Sequence, residues 1–274
     1  MAEHFSAFTF LDRITALEPG RRAQAQFLVP PAVSSFSPSL AAEAVGQLAC
    51  WTAMAQGGFR RRPVAGIVGQ VQLLGTASPG DRLDLSVELG SCDGEAMAYE
   101  GRAEVGGEPI VVLGECVGPM LPMEEFDAAE AVAAQCDLFC GAGAAPGRFP
   151  GVAPLEYVVT EREPGRHLQA ELRVPAAAPF FADHFPRRHV VPGTMLLDAQ
   201  LRLAAELAAE VSGAAPRPRR VQNVKLRSFI APGQTVELRA EMAGGAEGPI
   251  RIGARLGGRT IGSGLVHLAA AETP

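Results

Sequence analysis

Two alanine-rich stretches carry apolar residues at helical spacing, and alternating segments follow each of them. The first, LAAEAVGQLACWTAMAQ, covers residues 40–56 and ends at Gly57 and Gly58. The second, TMLLDAQLRLAAELAAEVS, covers residues 194–212. The segments after each helix alternate apolar and polar residues between Pro-Gly and Gly-rich turns, as antiparallel strands do. The pattern predicts an α+β protein in which each sheet wraps an apolar helix.

The two helices belong to two copies of one longer pattern. LEPGRRAQAQFLVP at 17–30 returns as REPGRHLQAELRVP at 162–175. VGQVQLLGTASPGDRLDLSVEL at 68–89 returns as VQNVKLRSFIAPGQTVELRAEM at 221–242. The chain is therefore a tandem duplication.

The duplication divides the chain into two units and a connection. We expect an N-terminal unit at 1–120 and a C-terminal unit at 151–274. Residues 121–150 are expected to form a short surface helix and a flexible glycine-rich linker. The sequence CDLFC in this connection predicts a packing pair on one helix face, since no histidine or further cysteine lies nearby to complete a metal site.

Composition excludes several kinds of function. A chain of 274 residues with 47% apolar residues can bury a sizeable core, and a net charge of -6 argues against nucleic acid as a partner. No long uncharged apolar stretch predicts a membrane span, and the first residues lack the pattern of a signal peptide. Five scattered cysteines, an odd number, favour reduced thiols. We therefore expect a cytoplasmic protein.

One segment of the C-terminal unit carries a family resemblance. PFFADHFPRRHVVPGTMLLDAQ at 179–200 resembles the active-site segment of the 3-hydroxyacyl-[acyl carrier protein] dehydratases, with a His-Phe-Pro loop, a Pro-Gly helix start and an acid fourteen residues after the histidine. The likeness extends to FLDRITALEPG and LEYVVTEREPG, which resemble the family's opening strand, once in each unit. Single-hotdog members of this family pair as dimers. The resemblance therefore implies a double hotdog, in which two antiparallel sheets join into one continuous sheet around two central helices.

The resemblance also implies roles for particular residues. Histidine suits removal of a proton beside the thioester carbonyl, and a carboxyl group in apolar surroundings suits protonation of the departing hydroxyl. In the family, the Pro-Gly glycine offers a backbone N–H to the thioester oxygen, and the acid comes from the opposite hotdog's helix. His184 and Gly193 occupy the first two of these positions.

The two units differ where this chemistry would be placed. The interval from Pro30 to Glu43 is ten residues shorter than the interval from Pro175 to Asp198, and the missing piece is the histidine loop. Pro38 stands at the glycine position of the N-terminal unit and has no N–H to offer. One complete site therefore remains if the acid acts across the interface.

We expect this composite site to combine residues of both units. His184 and Gly193 come from the C-terminal unit, while Glu43 with its supporting Gln47 comes from the N-terminal unit. Asp198 would then be a vestigial acid, with Arg202 four residues later where the family's glutamine would stand.

Each candidate also has a purely structural interpretation. His184 could be a packed histidine, and Glu43 a solvated helix residue, although its apolar neighbours favour burial. Asp198 could simply stabilise a helix start through the helix dipole. The remaining histidines have no acid at a meaningful spacing and are assigned no function: His4, His167, His189 and His267.

Clustered arginines indicate a docking surface. Arg60, Arg61 and Arg62 follow the first helix, and Arg187 with Arg188 stand in the histidine loop, where the family usually has a glycine. A cationic rim would favour an acidic carrier protein and its anionic phosphopantetheine arm. Ordinary solvated arginine side chains are the alternative.

The expected function is dehydration of 3-hydroxyacyl thioesters on acyl carrier protein to trans-2-enoyl thioesters, in fatty-acid or polyketide-type synthesis. The chain would act as a monomeric pseudo-dimer or as a homodimer of it, without a metal or a cofactor beyond the carrier's phosphopantetheine. Two alternatives stay open: a hotdog thioesterase in which Glu43 or Asp198 activates water, and a non-catalytic acyl-binding subunit.

Overall fold

The computed structural model describes residues 4–212, 216–244 and 248–269 and shows two similar units in chain order. The N-terminal unit contains β1 Arg13–Glu18, β2 Arg22–Leu28, α1 Pro38–Gln56, β3 Arg61–Pro63, β4 Ile67–Leu73, β5 Arg82–Cys92, β6 Ala96–Val105 and β7 Glu108–Pro122. A short 3₁₀ turn, Met123–Glu125, and α2 Ala129–Cys140 connect the units. The C-terminal unit contains β8 Tyr157–Glu163, β9 His167–Arg173, α3 Pro179–His184, α4 Gly193–Ser212, β10 Pro218–Leu226, β11 Thr235–Met242, β12 Ile250–Leu256 and β13 Arg259–Leu268.

The strands of both units form one continuous antiparallel sheet. Its order is β1-β2-β5-β6-β7-β4-β10-β13-β12-β11-β9-β8, with β3 paired to β7 beside this path. The units meet at β4 and β10, where Val71 lies opposite Val221 and Val68 opposite Val224. The order on one side of this seam repeats on the other. The predicted double hotdog is confirmed, and pairing at the seam covers an edge that each unit would otherwise expose.

The core lies between the sheet and the two long helices. Strands alternate as expected for a half-buried sheet: in β2, Ala23, Ala25 and Phe27 are buried and the residues between them are more exposed. Helix α1 is buried on most of its surface, including Val45 and Leu48, because its apolar residues surround nearly the whole helix. None of the described helices is both long and apolar enough to span a bilayer.

The two long helices start at equivalent residues. Helix α1 begins at Pro38, with the Ser37 hydroxyl accepting a hydrogen bond from the backbone N–H of Leu40, and α4 begins at Gly193. Glu43 and Asp198 each lie five residues after these starting points. The alignment of the two units by sequence therefore matches their structural alignment.

The connection between the units contains a short helix at the surface, α2, which packs one face against the N-terminal unit. Val132, Cys136 and Phe139 are buried on that face, and the Phe139 ring lies 5.4 Å from that of Trp51 in α1. Cys136 and Cys140 do occupy one turn of this helix.

The segment after α2 packs against the N-terminal unit through one buried phenylalanine. Phe149 is buried and contacts the rings of Phe10, Phe27 and Phe36 at centroid distances of 5.0, 6.4 and 6.1 Å. The expected boundary at residue 120 also falls inside β7, which continues to Pro122. Aromatic burial outweighs the flexibility that the glycines of this segment would otherwise give.

Candidate active site

A cavity of about 340 Å³ lies where the two units meet. Its wall includes one side of α1, the seam strands β4 and β10, the end of α3 and the start of α4, and it is largely apolar. Six residues of the wall are central to its chemistry: Glu43, Gln47, Arg62, His184, Gly193 and Thr194. The four residues expected to form the composite site thus face one cavity.

Glu43 is held from both units. Gln47, one turn further along α1, donates from Nε2 to Glu43 Oε1 at 3.1 Å, and Thr194 of α4 donates from Oγ1 to Oε2 at 2.7 Å. Burial raises the pKa of the Glu43 carboxyl, and these two hydrogen bonds and the nearby Arg62 only partly oppose that rise. Glu43 is therefore a carboxyl group that retains its proton to higher pH than usual.

His184 ends the short helix α3 and packs between two aromatic rings. Its ring centroid lies 4.0 Å from that of Phe185, and the Phe8 ring meets it edge-on at 5.5 Å. Burial, followed by the positive charge of Arg62, lowers the pKa of His184 to about 3, although the Asp183 carboxylate opposes the shift. The imidazole is therefore neutral near pH ~7 and can accept a proton.

Gly193 starts α4 in close contact with the seam. A Cβ atom built there would lie 2.5 Å from Leu226 Cδ1 on β10, so a larger residue would have to displace that side chain. The first backbone N–H groups of a helix have no partner within the helix and favour negative charge. The equivalent Pro38 lacks such a group.

Asp198 occupies a different environment from Glu43. Arg202 donates from Nε to Asp198 Oδ2 at 3.2 Å, and its guanidinium also bonds to the Leu155 carbonyl and lies 5.1 Å from the ring centroid of Tyr157. Within the described residues, Asp198 is not part of the cavity wall. Asp198 and Arg202, which lie four residues apart on α4, thus form an ion pair.

The arginine cluster after α1 is divided by its strand. Arg60 and Arg61 are exposed, but Arg62 enters the cavity wall, donates to the His184 carbonyl oxygen at 3.2 Å and lies 4.7 Å from the Phe185 ring centroid. Burial lowers the pKa of its guanidinium. Arg62 therefore lines the cavity while Arg61 faces outward, because side chains alternate between the two faces of β3.

The histidine loop is held by contacts with the connection between the units. The backbone N–H of Arg187 donates to the Phe126 carbonyl at 2.9 Å, and its side chain reaches the Glu124 carbonyl at 3.3 Å. Arg188 donates to Glu125 Oε2 at 2.6 Å. These contacts hold the two bulky arginine residues of the loop in place.

Three residues that sequence reasoning did not select also lie beside the site. Thr194 binds Glu43, while the buried Asp183 and the partly exposed His4 form an ionic contact. His4 Nε2 lies 3.1 Å from Asp127 Oδ2, and Nδ1 lies 3.6 Å from Asp183 Oδ1. Burial alone would lower the pKa of His4, but these two acids raise it to about 9. No local spacing marks this contact, because both acids lie more than a hundred residues from His4 in sequence.

The fold and the cavity define a double-hotdog protein with a cleft shared between its units. The model of the ApeI-like family, described as ApeI dehydratase, matches residues 160–251. The 3-hydroxyacyl-[acyl-carrier-protein] dehydratase FabZ of Rickettsia bellii is 31% identical over 99 residues, which cover 35% of this chain and 67% of that protein. The chain belongs to the hotdog dehydratase family, as the sequence resemblance implied.

Solved structures share the fold over nearly the whole chain. An acyl-ACP thioesterase from Bacteroides thetaiotaomicron VPI-5482 superimposes with a TM-score of 0.57 at 12% identity, covering 90% of this chain and 98% of that one. A MaoC-like dehydratase gives 0.50 at 16% identity, covering 92% and 98%. At such identities the likeness establishes the fold alone.

Proposed function

We propose that the protein is a hydro-lyase that converts 3-hydroxyacyl thioesters on acyl carrier protein to trans-2-enoyl thioesters at one composite site. His184 and Gly193 of the C-terminal unit act with Glu43 and Gln47 of the N-terminal unit. The observation that carries the proposal is the hydrogen bond from Thr194 to Glu43, because it holds the carboxyl of one unit at the helix start of the other.

The reaction uses the neutral base and the protonated acid in sequence. His184 takes the proton from C2 of the acyl group, and the Gly193 N–H donates a hydrogen bond to the thioester oxygen as negative charge develops on it. The C2–C3 double bond then forms as the C3–O bond breaks, and Glu43 protonates the departing hydroxyl so that it leaves as water. Transfer of a proton from the imidazolium to the Glu43 carboxylate restores the site.

The protonation state of Glu43 favours this reaction over thioester hydrolysis. A thioesterase that used Glu43 to activate water would need the ionised carboxylate as its general base. Burial favours the protonated carboxyl instead. Thioester hydrolysis remains the second candidate, because an acyl-ACP thioesterase shares the fold.

Acyl carrier protein is the proposed partner. Related FabZ proteins are named for substrates on this carrier. The exposed Arg60, Arg61 and Arg187 and the partly exposed Arg188 offer positive charge to an acidic partner, although Arg188 already contacts Glu125.

One assay separates the possible functions. The purified protein is mixed with a 3-hydroxyacyl carrier protein, and the absorbance of the conjugated enoyl thioester is followed together with release of free thiol. We expect enoyl absorbance without thiol release. Thiol release alone would establish a thioesterase, and no signal in either channel would leave acyl binding without catalysis.

A further inference from the structure

The N-terminal strap, residues 4–10, is attached to α1 beside Glu43. Gln47 donates from Nε2 to the Phe8 carbonyl at 3.0 Å and accepts the backbone N–H of Phe10 on Oε1 at 3.0 Å. The same Nε2 donates to Glu43 at 3.1 Å. One amide side chain thus fixes both the strap and the proposed acid.

Asp183 holds the opposite side of this strap. The backbone N–H of Phe8 donates to Asp183 Oδ2 at 2.6 Å, the Thr9 hydroxyl donates to the same oxygen at 3.1 Å, and the Phe5 N–H bonds to Oδ1. Asp183 is only 5% exposed. Burial alone would raise its pKa, but hydrogen bonds from His4 and the strap lower it. Asp183 is therefore a buried carboxylate whose ionised form is stabilised by donors of the strap.

Phe8 connects these two attachments to the proposed base. Its N–H bonds to Asp183 and its carbonyl to Gln47, and its ring packs edge-on against His184. Asp183 directly precedes His184 in the chain. A continuous path of contacts therefore runs from the base through the strap to the acid, although these two residues belong to different units.

A second ionic contact ties the strap to the connection between the units. His4 lies between Asp183 and Asp127, the residue that follows Phe126. Phe126 in turn accepts the Arg187 N–H of the histidine loop. The strap is therefore attached to α1, to the histidine loop and to the segment that precedes α2.

We propose that Asp183 is a positioning residue, which fixes the His184 ring relative to the Glu43 carboxyl through the strap. Its effect on turnover rests on the proposed dehydratase function, whereas its effect on the ring does not. Because general base and acid must both reach one substrate, displacement of the ring by about 1 Å can cost on the order of 10² in rate.

The variant Asp183→Asn tests this role with little change in volume. The asparagine amide keeps one acceptor oxygen, but its NH₂ group replaces the other oxygen. This NH₂ group cannot accept the hydrogen bonds that the strap donates. We expect kcat to fall about 10- to 100-fold while KM changes less than about twofold, since Asp183 orients the base without binding the acyl group.

Asp12→Asn is the matched control. Asp12 is also a buried carboxylate, 8% exposed, that accepts a backbone N–H, from Leu28 at 2.6 Å, but it does not belong to the described cavity wall. We expect wild-type kcat. An equal fall in kcat in both variants would overturn the proposal, since it would show only the cost of altering a buried carboxylate.

The histidine ring signals in the NMR spectrum provide a measurement without turnover. His184→Gln identifies the His184 signal. We expect one sharp signal in the wild type and in Asp12→Asn, and a broadened or doubled signal in Asp183→Asn. If Asp183→Asn left this signal and kcat unchanged, the proposal would be overturned.

The two measurements also separate this proposal from the proposed function. If the wild type does not dehydrate the substrate but Asp183→Asn still alters the His184 ring signal, the dehydratase assignment is lost and the positioning role of Asp183 is kept. If Asp183→Asn does not fold, His4→Gln replaces it, because this variant removes only the outer, 34% exposed partner. We then expect a two- to tenfold fall in kcat with KM preserved, and an unchanged kcat would contradict the role.

Discussion

Glu43→Gln and Asp198→Asn form a matched pair, because the two acids occupy the same position on equivalent helices. Each substitution preserves side-chain size and removes the carboxylate. Glu43 has its carboxyl held by Thr194 and Gln47 in the cavity, whereas Asp198 is paired with Arg202 away from it. The proposed composite site predicts a large effect of the first change and a small effect of the second.

The expected magnitudes differ by orders of magnitude. Loss of a general acid lowers kcat by about 10² to 10⁴, which corresponds to about 3 to 5 kcal/mol of transition-state stabilisation. Asp198→Asn removes an ion pair between partly exposed side chains of one helix, which is worth about 0.3 to 0.5 kcal/mol of stability. We expect its kcat to stay within about twofold of the wild type, as measured by formation of the enoyl thioester.

Thermal unfolding checks the environment of Glu43 independently. Because burial raises its folded pKa above the unfolded value of about 4.3, the wild type loses stability as pH rises through the interval between these two values. The stability of Glu43→Gln relative to the wild type should therefore increase as pH rises. Below about pH 4, the stabilities of the two proteins should change with pH in the same way. An inactive Asp198→Asn beside a fully active Glu43→Gln would refute the composite site.

Two further predictions concern pH and docking. Since the pKa of His184 is lowered to about 3, kcat/KM should have its acidic limb near that pH rather than near ~6.5, and it should fall again above the raised pKa of Glu43; a limb near ~6.5 in the measured profile would contradict this. Charge reversal of Arg187 and Arg188 to glutamate should raise KM for carrier-bound substrate at low salt without raising it for the same acyl group on free pantetheine. Equal KM values for wild type and variant on the carrier would exclude these arginines from docking.

The fold could be predicted because the chain repeats its own pattern. Pro-Gly turns and alternating strands recur around two apolar helices, and the placement of Pro38 and Gly193 at equivalent helix starts followed from counting residues. Periodicity and spacing record such local features directly. The shared cavity followed from the family resemblance, which supplied the rule that the acid crosses between hotdogs.

Contacts across the cavity could not be predicted in this way. Thr194 and Glu43 are separated by 151 residues, and Phe8 and Asp183 by 175, so neither pair has a local spacing that marks it. A hydroxyl or carboxylate has many possible partners that are distant in sequence. Only the packing of the two units selects one of them.

Two inward-facing side chains, in segments whose composition suggests solvent exposure, share a physical cause. A run of three arginines and a glycine-rich connection both look solvated by composition. Arg62 is drawn inward by strand alternation, and Phe149 by aromatic packing that also includes Phe10. Composition averages over neighbouring residues, whereas burial is decided for each side chain separately.

The seam between β4 and β10 joins two units that are no longer equivalent. In a dimer of two identical chains, each substitution appears in both active-site clefts. The same sequence must then supply the base to one cleft and the acid to the other. Here Pro38 and Gly193 occupy equivalent helix starts in the two units, and a substitution at one leaves the other unchanged. On the proposed assignment, the stoichiometry is one substrate per 274 residues, half that of a symmetric pair of equal mass.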